Sequence, residues 1–351
     1  MSETVEVHDD VAAIADWDRL AADSGAPVFY SSAFLSAYRE SELLPADAFA
    51  YLVLRDADQS ARAALPVTLL PQMDPAGSLT VYEPSIAAAP RGLISHNWHC
   101  YDTWLPSRGG QSDLDTIRAV LTAFRQLAAD FAAPWYGLVN VDATGPLAAA
   151  LTALGAHGVP IDQRYVLDLP PGFAAADHLA ALPRHQRDAL RMHQRRAQRA
   201  GAVARVLEPG SAEPERLGRL ERMIEAEHSV PCQFAPGGFQ DFRRQLGQAA
   251  RIIEVSVGGR AVGLGFCLID GARLHLWTCG VDRAADGFSP FHVLFYEALE
   301  YAARLGLARF ECGRRNGDFK RRYGLRPVPL LAYVAPTRKP LGALVPGITA
   351  A

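Results

Sequence analysis

The chain of 351 residues has almost no lysine: Lys320 and Lys339 are two among 35 basic residues. It also lacks any apolar run near the roughly 20 residues a membrane span needs. Residues 1–10 are acidic and have neither the basic nor the apolar region of a signal peptide, so a cytoplasmic protein is expected. The five cysteines, Cys100, Cys232, Cys267, Cys279 and Cys312, are odd in number and widely spaced, without CxxC or His/Cys ligand spacing. That excludes a disulfide framework and argues against a zinc site. No GxSxG elbow, Walker loop or GxGxxG after a strand occurs, which removes the main support for hydrolase, NTPase and Rossmann dehydrogenase readings. A net charge of −3 gives no global attraction to nucleic acid, so such contact requires a local basic patch.

What is present is a soluble composition, 49% hydrophobic and 21% charged, long enough for two ordinary domains. The first half reads as helices over 11–22 and 32–41, strands over 48–55 and 61–70, a long amphipathic helix over 111–132, a strand over 135–141 and a helix over 146–154. A strand over 165–169 precedes Pro170-Pro171-Gly172, which marks a boundary. Helices over 178–200 and 214–228, strands over 251–257, 261–268 and 273–280, a helix over 290–305 and a strand over 307–312 follow. Both halves share the order of helices, meander, long helix and strand, so two related α/β units in tandem are expected.

Lys320 lies in the glycine-bounded run Cys312-Gly-Arg-Arg-Asn-Gly-Asp-Phe-Lys-Arg-Arg-Tyr-Gly324, read as a loop leaving a buried strand. A compact ammonium there suits an anionic ligand or a developing oxyanion. Arg184, Arg187, Arg191 and Arg195 fall at i, i+3, i+7 and i+11 and form one stripe on a helix with a single carboxylate, Asp188, nearby. The stripe suits a phosphate-rich ligand such as tRNA, a nucleotide or CoA. The alternative is a solvated face, or pairing with Glu215, Glu221 and Glu225. Ser289-Pro290 opens a helix, either as an anion or acyl-oxygen site at its N-terminus or as an ordinary cap.

Asp282, Asp318, Glu311 and His292 are the candidates for taking a proton from an attacking amine. His228 is read as structural. His96-Asn-Trp-His99 is no metal site by spacing, and Asn97, Trp98, Tyr101, Asp102 and Trp104 are candidates for an aromatic pocket wall.

Residues Gly263 to Leu331 resemble the C-terminal half of the FemAB-like and CelD-like branches of the GNAT acyltransferase superfamily. The matching residues are Gly280, Asp282, Ser289-Pro290, Gly313-Arg314, Phe319-Lys320 and Tyr323-Gly324. Upstream, Leu182 to Arg187, Arg195-Arg196 and Ala200-Gly201 resemble the basic helix opening the second domain in this group, and Trp17-Asp18 with Pro27 to Tyr30 resemble its N-terminal opening.

The resemblance implies an α/β fold of two tandem GNAT-like domains, each a mixed, mostly antiparallel sheet flanked by helices. They would cover residues 1–165 and 166–340, with a tail at 341–351. It implies amide-forming acyl transfer without a bound metal or redox cofactor. The donor in FemAB-like enzymes is aminoacyl-tRNA, and the place of the usual CoA pyrophosphate loop is taken here by Asp286-Gly-Phe-Ser-Pro-Phe291. On this reading Lys320, Asp282 and Asp318 are catalytic. Arg184, Arg187, Arg191, Arg195, Ser289 and Phe319 hold the donor, and Trp98, Tyr101 and Trp277 contact the acceptor, a small-molecule or cell-wall-type amine. Acyl-CoA as donor and a non-catalytic tRNA- or nucleotide-binding module are the alternatives. A compact member of this kind resembles those that join amino acids to small molecules in secondary metabolism.

Overall fold

The computed structural model describes residues 4–41, 43–207, 214–228, 238–282 and 287–341. Cys232, Asp286 and the tail from residue 342 lie outside them, as do the side chains of Glu225 and His228. The strands are Thr4–His8 (β1), Ala48–Arg55 (β2), Ala61–Leu70 (β3), Gly92–Ser95 (β4), Trp135–Asp142 (β5) and Val159–Asp168 (β6). Then come Ala202–Leu207 (β7), Ala250–Val257 (β8), Arg260–Ile269 (β9), Arg273–Val281 (β10), Arg309–Glu311 (β11) and Arg326–Pro336 (β12). The helices are Trp17–Asp23 (α1), Ser32–Glu40 (α2), Ser85–Ala88 (α3), Leu114–Asp130 (α4), Pro146–Ala153 (α5) and Ala175–Ala181 (α6). Arg184–Arg199 (α7), Pro214–His228 (α8), Gly238–Leu246 (α9), Pro290–Arg304 (α10) and Gly317–Arg322 (α11) complete the set.

The chain divides into two compact units. One takes in residues up to Arg39, Pro45–Gln163 and Val328 onward, and the other Glu40–Leu44 and Arg164–Pro327. In the first unit β1, β2, β3 and β4 run antiparallel in turn, β4 pairs β5 in parallel, and β5 pairs β12 antiparallel. The second repeats this pattern: β7, β8, β9 and β10 antiparallel, β10 with β11 parallel, β11 with β6 antiparallel.

The first unit buries one face of α4 through Ile117, Val120, Phe124, Leu127 and Ala128, and Asp113 caps this helix by accepting the Thr116 N–H. In the second unit α10 lays Leu294, Phe295, Ala298, Leu299 and Ala302 into the core. Gly265 permits its close approach, because a Cβ there would come within 2.9 Å of Leu276 and 3.0 Å of Leu294.

Four expectations change. The helix expected over 178–200 breaks at Leu182 and Pro183, whose ψ values of 152° and 141° are extended, as the residue before proline and proline itself favour. The helix expected over 11–22 is a short 3-10 turn, Val11–Ala13, followed by α1. The run from 166 to 340 is not one piece, since from Val328 onward β12 is laddered to β5 of the first unit, from Leu330 opposite Asp142 to Pro336 opposite Trp135. Lys320 lies on a helix, α11, rather than in a loop. Asn316, at φ +61°, turns the chain into the helix, which starts at Gly317 after the short connection 312–316.

Candidate active site

The defining feature of the second unit is where β10 and β11 part. Their parallel ladder has three rungs, Arg273 with Arg309, Leu274 with Phe310 and His275 with Glu311, while β10 continues to Val281. A bulge between Leu276 and Thr278 shifts the register with β9 at Trp277. Beyond His275 the edge of β10 that faced β11 carries no ladder, and an extended acyl donor can hydrogen-bond along such an edge.

The equivalent place in the first unit is filled. Thr103 donates its N–H to Asn140 O at 3.0 Å, and Asn140 donates its side-chain amide to Asn97 O at 3.2 Å and to Cys100 O at 2.5 Å. Residues 97–103 thus cover the edge of β5 beyond β4.

That filling decides the fate of two predicted acceptor contacts. Trp98 is 7% exposed and donates its indole N–H to Met73 O, and Tyr101 is 4% exposed and packs edge-on to Phe29. Both are core side chains of the first unit, not an open wall. His96 and His99 are likewise taken into the interior, on Phe29 O and the Tyr38 hydroxyl at 2.6 Å each. Trp277 is in the second unit, buried against Phe239, Phe242 and Phe266 on the face covered by α9.

Lys320 is 5% exposed, with its ammonium 5.3 Å from the centre of the Tyr165 ring. Burial drives the Cys312 thiol up to about 12, against the pull of the Lys320 ammonium beside it. Cys312 directly follows the last rung of the parted ladder, so Lys320 stands at that opening. Gly317 is required by the same packing: a Cβ there would lie 2.0 Å from the Tyr165 hydroxyl. Phe319 points inward, its ring 4.7 Å from Phe291, 5.2 Å from Phe295 and 4.5 Å from Tyr323, so it anchors α11 to α10 rather than facing solvent.

The two aspartates proposed as proton acceptors are engaged elsewhere. The Asp282 carboxylate pairs with Arg260 at 3.0 Å and Arg219 at 3.6 Å. Asp318 is exposed and pairs with Arg321 at 2.6 Å.

Ser289 caps α10 without a side-chain bond, and its N–H donates to His193 Nδ1 at 3.0 Å. Arg196 from the same helix α7 donates to Gly287 O. His193 stacks on His292 at 4.2 Å. Burial, with Arg196 adding to it, lowers the His193 pKa, and burial, then His193 and Arg322, brings His292 down to about 4. Two neutral imidazoles therefore tie α7 to the head of α10 near pH 7.

The arginine stripe is partly rearranged. Arg184 is exposed and reaches Asp188 at 3.4 Å, and Arg187 turns back to Ala180 O. Arg191 and Arg195 are exposed, with no carboxylate within 4.0 Å among the described residues. With Asp188, which pairs with Arg184, and Met192, Arg196 and Arg199 they line a groove of about 350 Å³. Sequence reasoning missed Arg199, which continues the i+4 spacing, and the role of Arg196 at the helix head. It also missed the buried Arg164 and His275 around Glu311, with the half-buried Asp270 beyond His275. A fully buried glutamate beside the last rung needs cationic partners, but nothing in the local sequence names them.

A four-stranded meander, then a parallel pair that parts after a few rungs, recurs in both units, and in the second it is followed by the long helix α10. Residues 184–321 match the family described as acetyltransferase (GNAT) domain, and the second unit carries that domain. The two-unit fold is shared with several solved structures of low sequence identity. FemX superposes with a TM-score of 0.61 at 10% identity, covering 95% of this chain and 98% of its own. A tandem GNAT protein from the clavulanic acid biosynthesis pathway gives 0.54 at 16%, covering 96% and 99%. The C-terminal domain of a putative lysylphosphatidylglycerol synthetase from Agrobacterium fabrum gives 0.56 at 12%, covering 90% of each. No curated protein matches the sequence. Among the described residues no helix is long and apolar enough to cross a membrane.

Proposed function

We propose that this acyltransferase moves an aminoacyl group from aminoacyl-tRNA to the amine of a small molecule or cell-wall-type precursor. The observation that carries this reading is the groove of Arg191, Arg195, Arg196 and Arg199 on α7, a helix bonded through Arg196 and His193 to the head of α10. Exposed arginines without carboxylate partners attract a polyphosphate chain, and their salt-dependent attraction does not require a particular sequence. Likeness in fold to FemX and to a lysylphosphatidylglycerol synthetase domain supports an aminoacyl donor.

In this reading the donor's phosphates lie along α7, and its acyl end enters where β10 and β11 part. Lys320 stabilises the charge that develops on the carbonyl oxygen, and the protein acts mainly by positioning and electrostatics. A second reading, an acyl-CoA donor, is favoured by the match of residues 184–321 to acetyltransferase domains. Incubating the protein with amines and either total aminoacyl-tRNA or a panel of acyl-CoAs separates the two. The tRNA reading expects an amide product that disappears after RNase treatment of the donor. A product from acyl-CoA alone overturns it, and binding of tRNA without any product makes the protein a carrier rather than a catalyst.

A further inference from the structure

Glu311 is 0% exposed and forms the last rung of the parallel ladder with His275, also 0% exposed. Its Oε2 receives Arg164 Nη1 at 2.7 Å and lies 3.7 Å from His275 Nδ1. On its other side His275 Nε2 is 3.5 Å from Asp270 Oδ2, which Arg273 approaches at 3.8 Å. The second oxygen, Glu311 Oε1, is buried and has no hydrogen-bond partner among the described residues. A lone buried carboxylate oxygen costs on the order of 1–3 kcal/mol unless something donates to it. The strands part directly after this rung, so a group seated between them abuts it.

The two faces of the sheet offer different chemistry at that point. Side chains alternate along a strand, so Phe310 and Cys312 point to the α10 face and Glu311 to the other. Lys320 stands beside Cys312, and Trp277 lies on the α9 face with Phe239 and Phe242. A carbonyl held between the strands would have a cation on one side and an unpartnered carboxylate oxygen on the other.

We propose that Glu311 is the proton acceptor of acyl transfer, taking the proton of the attacking amine at Oε1, with Arg164 and His275 as the positioning residues that hold its other oxygen. The inference rests on the acyl-transfer reading and is indifferent to whether the donor is tRNA or CoA. A neutral amine attacks the carbonyl carbon, the N–C bond forms and one N–H proton passes to Oε1. The bond from the carbonyl carbon to the donor oxygen or sulfur breaks, and the departing alkoxide or thiolate recovers that proton. Burial opposes the charge on Glu311, but Arg164, His275 and Arg273 outweigh it and hold the carboxyl below its usual range, so it is ionised near pH 7 and can accept a proton. The charged and titratable groups facing it are those three and, past the strand, Cys312.

Wild type and Glu311→Gln are compared with methylamine and hydroxylamine as acceptors, using aminoacyl-tRNA and acyl-CoA in turn. The two nucleophiles are alike in size, but hydroxylamine carries its own proton acceptor, since it can attack through oxygen while its nitrogen holds the proton, and the O-acyl product passes on to the hydroxamate. Expected is a loss of about 100-fold or more in N-methylamide formation by the variant, with hydroxamate formation and donor KM nearly unchanged. Equal loss of both products, as mere unfolding would cause, or loss of neither, overturns the role of Glu311 and leaves acyl transfer intact. A wild type that forms neither product from either donor overturns both readings. Arg164→Lys keeps a cation beside Oε2 and should restore part of the rate that Arg164→Met removes; equal rates would show that Arg164 does not act through Glu311.

Discussion

The Lys320 ammonium sits 5.3 Å from the centre of the Tyr165 ring, in a place from which solvent is almost wholly excluded. A desolvated cation acts more strongly on a developing oxyanion than one in water. Lys320→Met keeps the stem and removes the charge. The expected result is a fall in kcat of about 100-fold with a small change in thermal midpoint, and unchanged turnover would remove Lys320 from the catalytic set.

The groove on α7 makes a prediction about salt. Replacing Arg191, Arg195 and Arg199 together by Gln should lower the slope of log Kd for tRNA against log salt by about 2 to 3, close to one per lost phosphate contact. Filter binding across a salt series measures it. A slope identical to wild type would place the tRNA elsewhere.

Gly317 is expected to be intolerant of any side chain. Gly317→Ala brings a methyl to 2.0 Å from the Tyr165 hydroxyl, which Arg321 also holds at 2.8 Å. A loss of about 1–3 kcal/mol is expected. Tyr165→Phe in the same chain should recover part of it, and urea unfolding of the two variants decides.

Acid should weaken the fold from near pH 6.5 downward. His96 is neutral, its Nε2 donating to Phe29 O and its Nδ1 accepting from Asn97, and burial lowers its pKa from 6.5 to about 4. His292 is lowered to about 4 by burial, His193 and Arg322. Between these values the unfolded chain binds protons that the folded chain refuses, so stability falls as pH falls through the window and is level above it. For the fully buried His96 the loss is on the order of 3 kcal/mol. His96→Gln should flatten the profile between pH 6.5 and 4, while a profile parallel to wild type would refute this account. Asp270, held at about 2 against burial chiefly by His275, titrates below this window.

Much of the architecture could be read before any coordinates. Periodicity marked most strands and helices, including α4, α10 and β8 to β10, because each must bury one face. The parts missed include strands whose pairing is remote, β1 and β12 near the ends of the chain and β7, and the short elements β4, α3 and α9. Ser289, Phe319 and Lys320 were picked out as candidates from their spacing, but the surroundings of other candidates could not be read from it. Trp98 and Tyr101 looked like a polar aromatic wall because a loop rich in Asn, His and Asp resembles a surface. In the fold its polar groups satisfy the backbone of β5 instead.

By itself the sequence determined most of the longer helices and strands, where arginine replaces lysine, and the order of residues that resembles an acyltransferase half. Those are local properties, set by side-chain periodicity, caps and spacing. Tertiary structure alone decided that β10 and β11 part after His275 and Glu311, that Lys320 is buried beside Cys312, and that Asp282 is neutralised by two arginines while Glu311 keeps an oxygen unpartnered. These depend on which strand lies beside which, and on contacts between residues up to 147 positions apart, as with Arg164 and Glu311. Spacing along a chain holds no record of such distances, because they arise when distant elements share one core.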